Sequence, residues 1–493
     1  MRIVYLPVDE RFCTRDYFLL LAQAAGIEVK TPPLSHLGAK KVPPDMERLR
    51  SWLEGNADPG DLVILSLDML VHGGLIPSRM SLESLATLRQ RLGILRRLKE
   101  RGCRVYAAIS VTRTPFYNSA EEEPDYWEYY GERIYDLSRL LARRSRGEEV
   151  APLIEEGSQG IPRWIIEDYT RRRERNFALV SSAIDLVAEG AIDFLNLVLD
   201  DNSAESISLA EAEQHGEKVA SLGIGERVVI HAGADESTLT LLAKSLVDEY
   251  GLSPTFEVVY ASPEKAGFIP PYEGSPLREG VKNHVEAAGG RIVDGGGDVI
   301  LVVNNPEDAT ESPMQPATPA DAAPYERIAR ALDERGERIL GIADVRYVNG
   351  ADNHLVRLLL QRGEIDWERA NFAGWNTAGN TLGTVCAHSI VESLGAKGIL
   401  HLDRRRLLTL QGIFLIEHWG FQANVRQGLI EAAKEKGVLP WTVIPLEDWA
   451  VGYTTEGLVP YKEEVERALA TRWGEFEVWF PWHRSFEIGI ALR

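Results

Sequence analysis

Arg227-Val-Val-Ile-His231-Ala-Gly-Ala-Asp235-Glu236-Ser-Thr-Leu-Thr-Leu-Leu242 decides how the rest of the chain is read. A β-branched apolar run ends at a histidine, passes through Ala-Gly-Ala to two adjacent acids, and continues in a helical pattern. This is a strand, a tight turn and a helix start, with Asp235 and Glu236 at the carboxyl end of the strand. In α/β proteins that end is where ligands and chemistry gather.

Working outward, the other unusual polar clusters also follow apolar runs. Ile3–Pro7 leads to Asp9-Glu10-Arg11, Asp61–Leu67 to Asp68, and Arg104–Ser110 to Arg113. Phe194–Leu199 leads to Asp200-Asp201-Asn202, Val299–Val303 to Asn304-Asn305, and Arg338–Ala343 to Asp344. With Phe256–Tyr260 and the opening stretch, eight strands of parallel character alternate mostly with helical patterns. That predicts an α/β fold, a (β/α)8 barrel, with an open doubly wound sheet as the alternative.

The long strand-free segment of about 114–192 predicts a helical insertion over the rim. A loop at 304–324, with Pro306, Pro313, Pro316, Pro319 and Pro324, is too Pro-rich to pack a core. The expected division is an α/β catalytic domain over 1–395 and a helical/β module over 396–493, ending in the aromatic run Phe476–Trp482.

The formal charge of −20 and the absence of a Lys/Arg stripe argue against nucleic acid as a partner. Cys13, Cys103 and Cys386 are widely spaced and form neither a disulfide framework nor a zinc signature. Met1-Arg-Ile-Val-Tyr runs straight into a strand pattern, and no apolar run is long enough to span a bilayer. The expectation is a cytoplasmic protein with no membrane partner and an undefined oligomeric state. No P-loop, G-x-S-x-G elbow or Rossmann fingerprint follows a strand, so no cofactor is expected.

Asp235 and Glu236 fit general acid chemistry, because neighbouring carboxyls divide roles when their surroundings push their pKa values apart. They suit a helix N-terminus equally well. Asp200, Asp201 and Asn202 suit a magnesium, manganese or calcium ion, or sugar hydroxyls; a capped turn is the plainer alternative. Asp9, Glu10 and Arg11 form either a substrate contact or an internal ion pair. Asp68, Arg113, Asn305 and Asp344 gain interest from their strand-end positions. The loop Trp375-Asn376-Thr377 offers an aromatic face beside an amide, suited to a sugar or to a core tryptophan.

The hexapeptide His231-Ala-Gly-Ala-Asp235-Glu236 resembles the His-x-Gly-Gly-Asp-Glu signature of β-N-acetylhexosaminidases. The resemblance implies Glu236 as general acid, Asp235 as partner of the substrate's 2-acetamido nucleophile, and His231 near the sugar. Ala234 stands where that family has its second Gly, and the motif follows the fifth expected strand instead of the fourth.

Over the whole chain, Pro7-Val-Asp-Glu-Arg11, Leu199-Asp-Asp-Asn-Ser203, Gly233-Ala-Asp-Glu236 and Gly374-Trp-Asn-Thr-Ala-Gly-Asn-Thr-Leu-Gly-Thr384 resemble a bacterial family. That family is catalogued only as a domain of unknown function. Glu10 replaces its more usual Asp, and Phe12 replaces the Pro after the Arg. This resemblance implies one full-length α/β unit and no particular reaction.

The expected function is a glycoside hydrolase acting on an amino sugar, an N-acetylhexosaminide, with a small carbohydrate as substrate. One alternative is a metal-dependent isomerase, lyase or phosphoryl-transfer enzyme with Asp200, Asp201 and Asp235 as ligands. The other is a non-catalytic sugar-binding protein.

Overall fold

The computed structural model describes residues 1–306, 310–311 (backbone only), 315–363, 365–439, 442–474 and 476–493. Pro313 of the Pro-rich loop lies outside them. In chain order the strands are β1 (Arg2–Leu6), β2 (Glu28–Lys30), β3 (Leu62–Ser66), β4 (Arg104–Val111), β5 (Phe194–Leu199) and β6 (Val228–Ala232). They continue as β7 (Thr255–Tyr260), β8 (Arg291–Ile292), β9 (Val299–Asn304), β10 (Thr310–Glu311) and β11 (Ile339–Asp344). The last four are β12 (Tyr347–Val348), β13 (Ala370–Ala373), β14 (Phe476–Trp479) and β15 (Gly489–Leu492).

The fold is α/β with parallel sheets. A six-stranded sheet runs β2-β1-β3-β4-β5-β6 and a five-stranded one runs β13-β11-β9-β7-β8. β10–β12 and the antiparallel β14–β15 form two small pairs. All eight strands expected from apolar runs are present, divided between the two sheets. The three additional sheet strands, β2, β8 and β13, are short and lie at sheet edges, where one side needs no partner and little apolar sequence marks the strand.

The chain forms two compact units. The first is Met1–Glu10, Glu28–Leu241 and Tyr272–Ser275; the second is Arg11–Ile27, Leu242–Pro271 and Pro276–Arg493. In the first, β3 and β5 are buried along their whole length, as their sequences LVILS and FLNLVL require of strands covered on both faces. Val63, Leu65, Leu195, Leu197 and Leu199 share one core with Leu49 and Leu53, Leu88 and Leu92, and Leu179, Ala183 and Ile184 from the flanking helices. The segment expected as a helical insertion holds helices Trp127–Ser145, Ala151–Gly157 and Arg163–Ala188, with a satellite core of Trp127, Ile134, Leu137, Ile165 and Tyr169.

Numbered from its own first strand, each sheet has the order 2-1-3-4-5, and the first adds a sixth strand. In this order the chain leaves strand two and returns on the other side of strand one. The carboxyl ends of strands one and three therefore mark the point where the strand order reverses. In the first unit that place is flanked by Pro7–Glu10 and Ser66–Asp68; in the second, by Ala261–Ser262 and Asn304–Asn305. Among the described residues no helix is long and apolar enough to cross a membrane.

Candidate functional site

At the end of β3, Ser66 Oγ accepts the Met69 N–H at 3.4 Å and caps the short helix Leu67–His72. The next residue but one, Asp68, is only 5% exposed. Its Oδ2 accepts the Ser110 N–H at 3.0 Å and its Oδ1 accepts the Ser110 hydroxyl at 2.7 Å, both from β4. Burial pushes the Asp68 carboxyl up to about 6; the negative charge of Asp200 adds to this, and the Ser110 bonds oppose it.

Two buried guanidiniums organise the acids around it. Arg79 Nη2 donates to Asp200 Oδ2 at 2.7 Å, and its Nη1 lies 3.1 Å from Glu123 Oε1 and 3.2 Å from Glu122 Oε2. Burial and neighbouring Arg113 disfavour charge on Arg79, and Asp200, Glu123 and Glu122 outweigh both. Arg113, just after β4, donates from Nη1 to Asp201 Oδ2 at 2.5 Å, from Nε to Glu123 at 2.9 Å and from Nη2 to Glu122 at 3.0 Å. Burial pushes the Glu123 carboxyl up against the pull of both arginines.

Four carboxyls, Glu122, Glu123, Asp200 and Asp201, thus face two guanidiniums, with Asp68 close enough to feel the Asp200 charge. Such a surplus favours either a retained proton or a bound cation. As metal ligands, Asp200 and Asp201 each already hold an arginine, so a cation there competes with two fixed positive charges.

The strand-end acids of β6 are arranged differently. Asn196 in β5 is fully buried, and its Nδ2 donates to Thr240 Oγ1 at 2.9 Å and to the Ser237 carbonyl at 3.3 Å. This fixes the start of the helix Ser237–Tyr250. The turn before it folds the Glu236 carboxylate back beneath Gly233, whose φ is +89°. His231 Nδ1 lies 3.7 Å from Glu236 Oε1, and both side chains are sealed from solvent. Asp235 is also buried.

A Cβ on Gly233 would stand 2.5 Å from Glu236 Oε1. Gly233→Ala is therefore expected to cost about 1–2 kcal/mol, from a left-handed residue and a displaced carboxylate. An unchanged urea midpoint would show that the turn accepts a side chain.

Beside the acids lies an aromatic patch. Phe116, 53% exposed, stacks on Tyr272 at 6.5 Å and meets Tyr117 edge-on at 5.8 Å. Tyr117 OH accepts from Arg113 at 2.9 Å. Asn202 holds the Tyr272 segment in place: its N–H donates to the Tyr272 carbonyl at 2.9 Å, and its amide oxygen packs against Gly274. The first unit therefore collects Arg113, Asp200 and Asp201 with Arg79, Asp68 on Ser110 and Asn202 on the Tyr272 segment, and carries Asp235, Glu236 and His231 at the end of the edge strand. Asp9 is buried after β1, and half-buried Glu10 accepts the Lys40 N–H at 2.6 Å.

The second unit carries Arg11, Asn305, Asp344, Trp375 and Asn376. Arg11 lies 4.3 Å above the Trp482 ring and 3.9 Å from Glu487, buried in an ion pair and cation–π stack. Asn305 clasps the end of β7: its Oδ1 accepts the Ser262 N–H at 3.0 Å and its Nδ2 donates to the Ser262 carbonyl at 2.8 Å.

Asp344 shares the Asn304 amide with Asp352, at 2.9 and 3.1 Å. Burial and the Asp352 charge push Asp344 up to about 7, against the hydrogen bonds it accepts. Arg346 Nε lies 3.3 Å from Asp352, and the Tyr325 hydroxyl donates to it at 2.6 Å. Trp375 is a buried ring stacked on His418 at 5.8 Å, with its Nε1–H donating to Thr384 at 3.3 Å. Asn376 is half-buried with φ +52°, ahead of a capping box formed by Thr377 and Asn380.

Sequence reading passes over Arg79, Ser110, Glu123, Tyr325 and Arg346, because each joins its cluster only through tertiary structure. Asp352 has a local signal, since its carboxylate caps the helix Asn353–Gln361 through the His354 N–H at 2.8 Å.

The family model described as "Protein of unknown function (DUF4127)" matches residues 3–491. No curated protein and no solved structure matches the chain.

Proposed function

We propose that this chain, which belongs to the DUF4127 family over nearly its whole length, is a glycoside hydrolase acting on an amino sugar at the carboxyl rim of its six-stranded sheet. The observation that carries this reading is the split between Asp68 and Asp200. Burial pushes one carboxyl up to about 6, which suits a proton donor, while the other is bound to Arg79 at 2.7 Å.

Their strands are separated by β4 alone, and the Asp68 carboxyl reaches across to Ser110 of that strand. The Phe116–Tyr272 patch offers a stacking face, and Arg113, Asp201 and Asn202 offer partners for hydroxyls. The hexapeptide resemblance makes Glu236 the general acid, but its side chain is sealed beneath Gly233; that role passes to Asp68, and Asp235, one strand beyond Asp200, is kept as the partner of the 2-acetamido group.

The sheet order also supports reading the finer architecture as doubly wound, with this site beside its β1/β3 crevice. A metal-dependent reading rests on the surplus of carboxyls and uses Asp200, Asp201 and Asp235.

A panel of chromogenic glycosides, including the N-acetylglucosaminide and N-acetylgalactosaminide, separates the two when run with and without chelator. Chelator-resistant turnover confined to acetamido sugars is expected. Turnover abolished by chelator and restored by magnesium or manganese would replace the glycosidase reading with the metal-dependent one.

A further inference from the structure

We propose that the groove beside Trp164 is a distal sugar subsite, so that the substrate is an oligosaccharide chain and not a single glycoside. This rests on the glycoside-hydrolase reading and extends it within the first unit.

The groove has a volume of about 560 Å³, within the range of small-ligand sites. Its wall carries Trp164, a large ring 61% exposed on an otherwise polar helix face. Tyr126 meets that ring edge-on at 5.7 Å and 83°, which fixes the pair as a platform. Around the platform stand hydrogen-bonding groups already held in place. Asp168 accepts from the Tyr126 hydroxyl at 3.0 Å, from Arg172 Nε at 2.6 Å and from Arg171 Nη2 at 2.7 Å. A flat apolar ring bordered by fixed carboxylate and guanidinium groups matches a pyranose, which has an apolar face and a hydroxyl edge. It matches an apolar peptide poorly, because the polar border would lose its water without compensation.

Continuity ties this groove to the site. Glu122 and Glu123 bind Arg79 and Arg113, and the next residues of the same segment, Pro124 and Tyr126, wall the groove. Pro124, Tyr126 and Arg172 also line the small cavity of about 30 Å³ shared with Arg79, Arg113 and Glu123.

Calorimetric titration tests the proposal with β-1,4-linked N-acetylglucosamine and glucose oligomers of one to four units. The proteins are the intact chain, Trp164→Ala and Trp164→Phe. Affinity of the intact chain for one of the two series is expected to rise about tenfold from the single sugar to the longer oligomers. That gain should vanish in Trp164→Ala and return in Trp164→Phe. An affinity independent of chain length, or an equal gain in Trp164→Ala, overturns the subsite. Hydrolysis of simple glycosides alongside either result leaves the glycosidase reading standing. Length-dependent binding with no hydrolysis of any glycoside keeps the subsite and removes that reading.

Discussion

Arg79→Met is expected to destabilise the protein by about 3–5 kcal/mol at neutral pH, the cost of leaving buried charges without their partner. The Arg79 side chain is 4% exposed and contacts Asp200, Glu122 and Glu123. Arg113 still holds Glu122 and Glu123 in the variant, so the loss falls mainly on Asp200. Methionine fills much of the same volume, which separates charge from packing.

The sign with pH follows from the acid left behind. A buried carboxylate without its arginine takes up a proton more readily in the folded chain than in the unfolded one. The variant therefore regains stability relative to the wild type as pH falls. Urea unfolding at pH 7 and near pH 4.5 reads both effects. An equal deficit at the two pH values would assign the loss to packing, and a deficit below about 1 kcal/mol at pH 7 would remove the buried network from the account.

Asp68→Asn is expected to lower turnover by a factor of about 10²–10⁴, the usual contribution of a positioned proton donor. Glu236→Gln, sealed beneath Gly233, should lose less; the reverse ranking would return the donor role to Glu236, as the hexapeptide resemblance implies. The same substitution has a stability signature independent of any substrate. The folded Asp68 carboxyl titrates at about 6, against an ordinary value of 3.8. Its neutral form is thus favoured by folding, a contribution present below pH 4 and lost as pH rises through 6. Asparagine does not titrate.

The variant's stability relative to the wild type should therefore improve by about 2 kcal/mol between pH 4 and pH 7, whatever the cost of the altered Ser110 bonds. A difference that stays flat with pH would show that Asp68 is not held in its protonated form. Together the two variants distinguish a structural ion network from a working acid.

Much of the site was legible because its residues follow strands. Asp68, Arg113, Asp200 and Asp201 each stand just beyond an apolar run, where strand direction alone places them on a rim. Asn376 and Thr377 were readable as the opening of a helix. The sequence allows Trp375 as a sugar platform and slightly favours a core ring, and its 3% exposure and stacking on His418 show a buried ring. The aromatic face beside the acids comes from Phe116 and Tyr272, which lie far apart in the chain. Arg79 sits on the helix Leu75–Met80 with no acid beside it in sequence, so nothing local marked it as the partner of Asp200.

By itself the sequence determined the alternation of strands and helices, the parallel α/β class and the collection of acids at strand ends. These are local properties, written in the period of apolar residues and in the turn chemistry that follows each run. Only the tertiary structure decided that eight such strands divide between two sheets of like order, and that burial raises the Asp68 carboxyl while Asp200 is bound to Arg79. Strand pairing and carboxyl pKa both depend on neighbours distant in sequence: hydrogen bonding joins backbones with no fixed spacing, and burial with one nearby charge shifts an acid by more than its own residue type can signal.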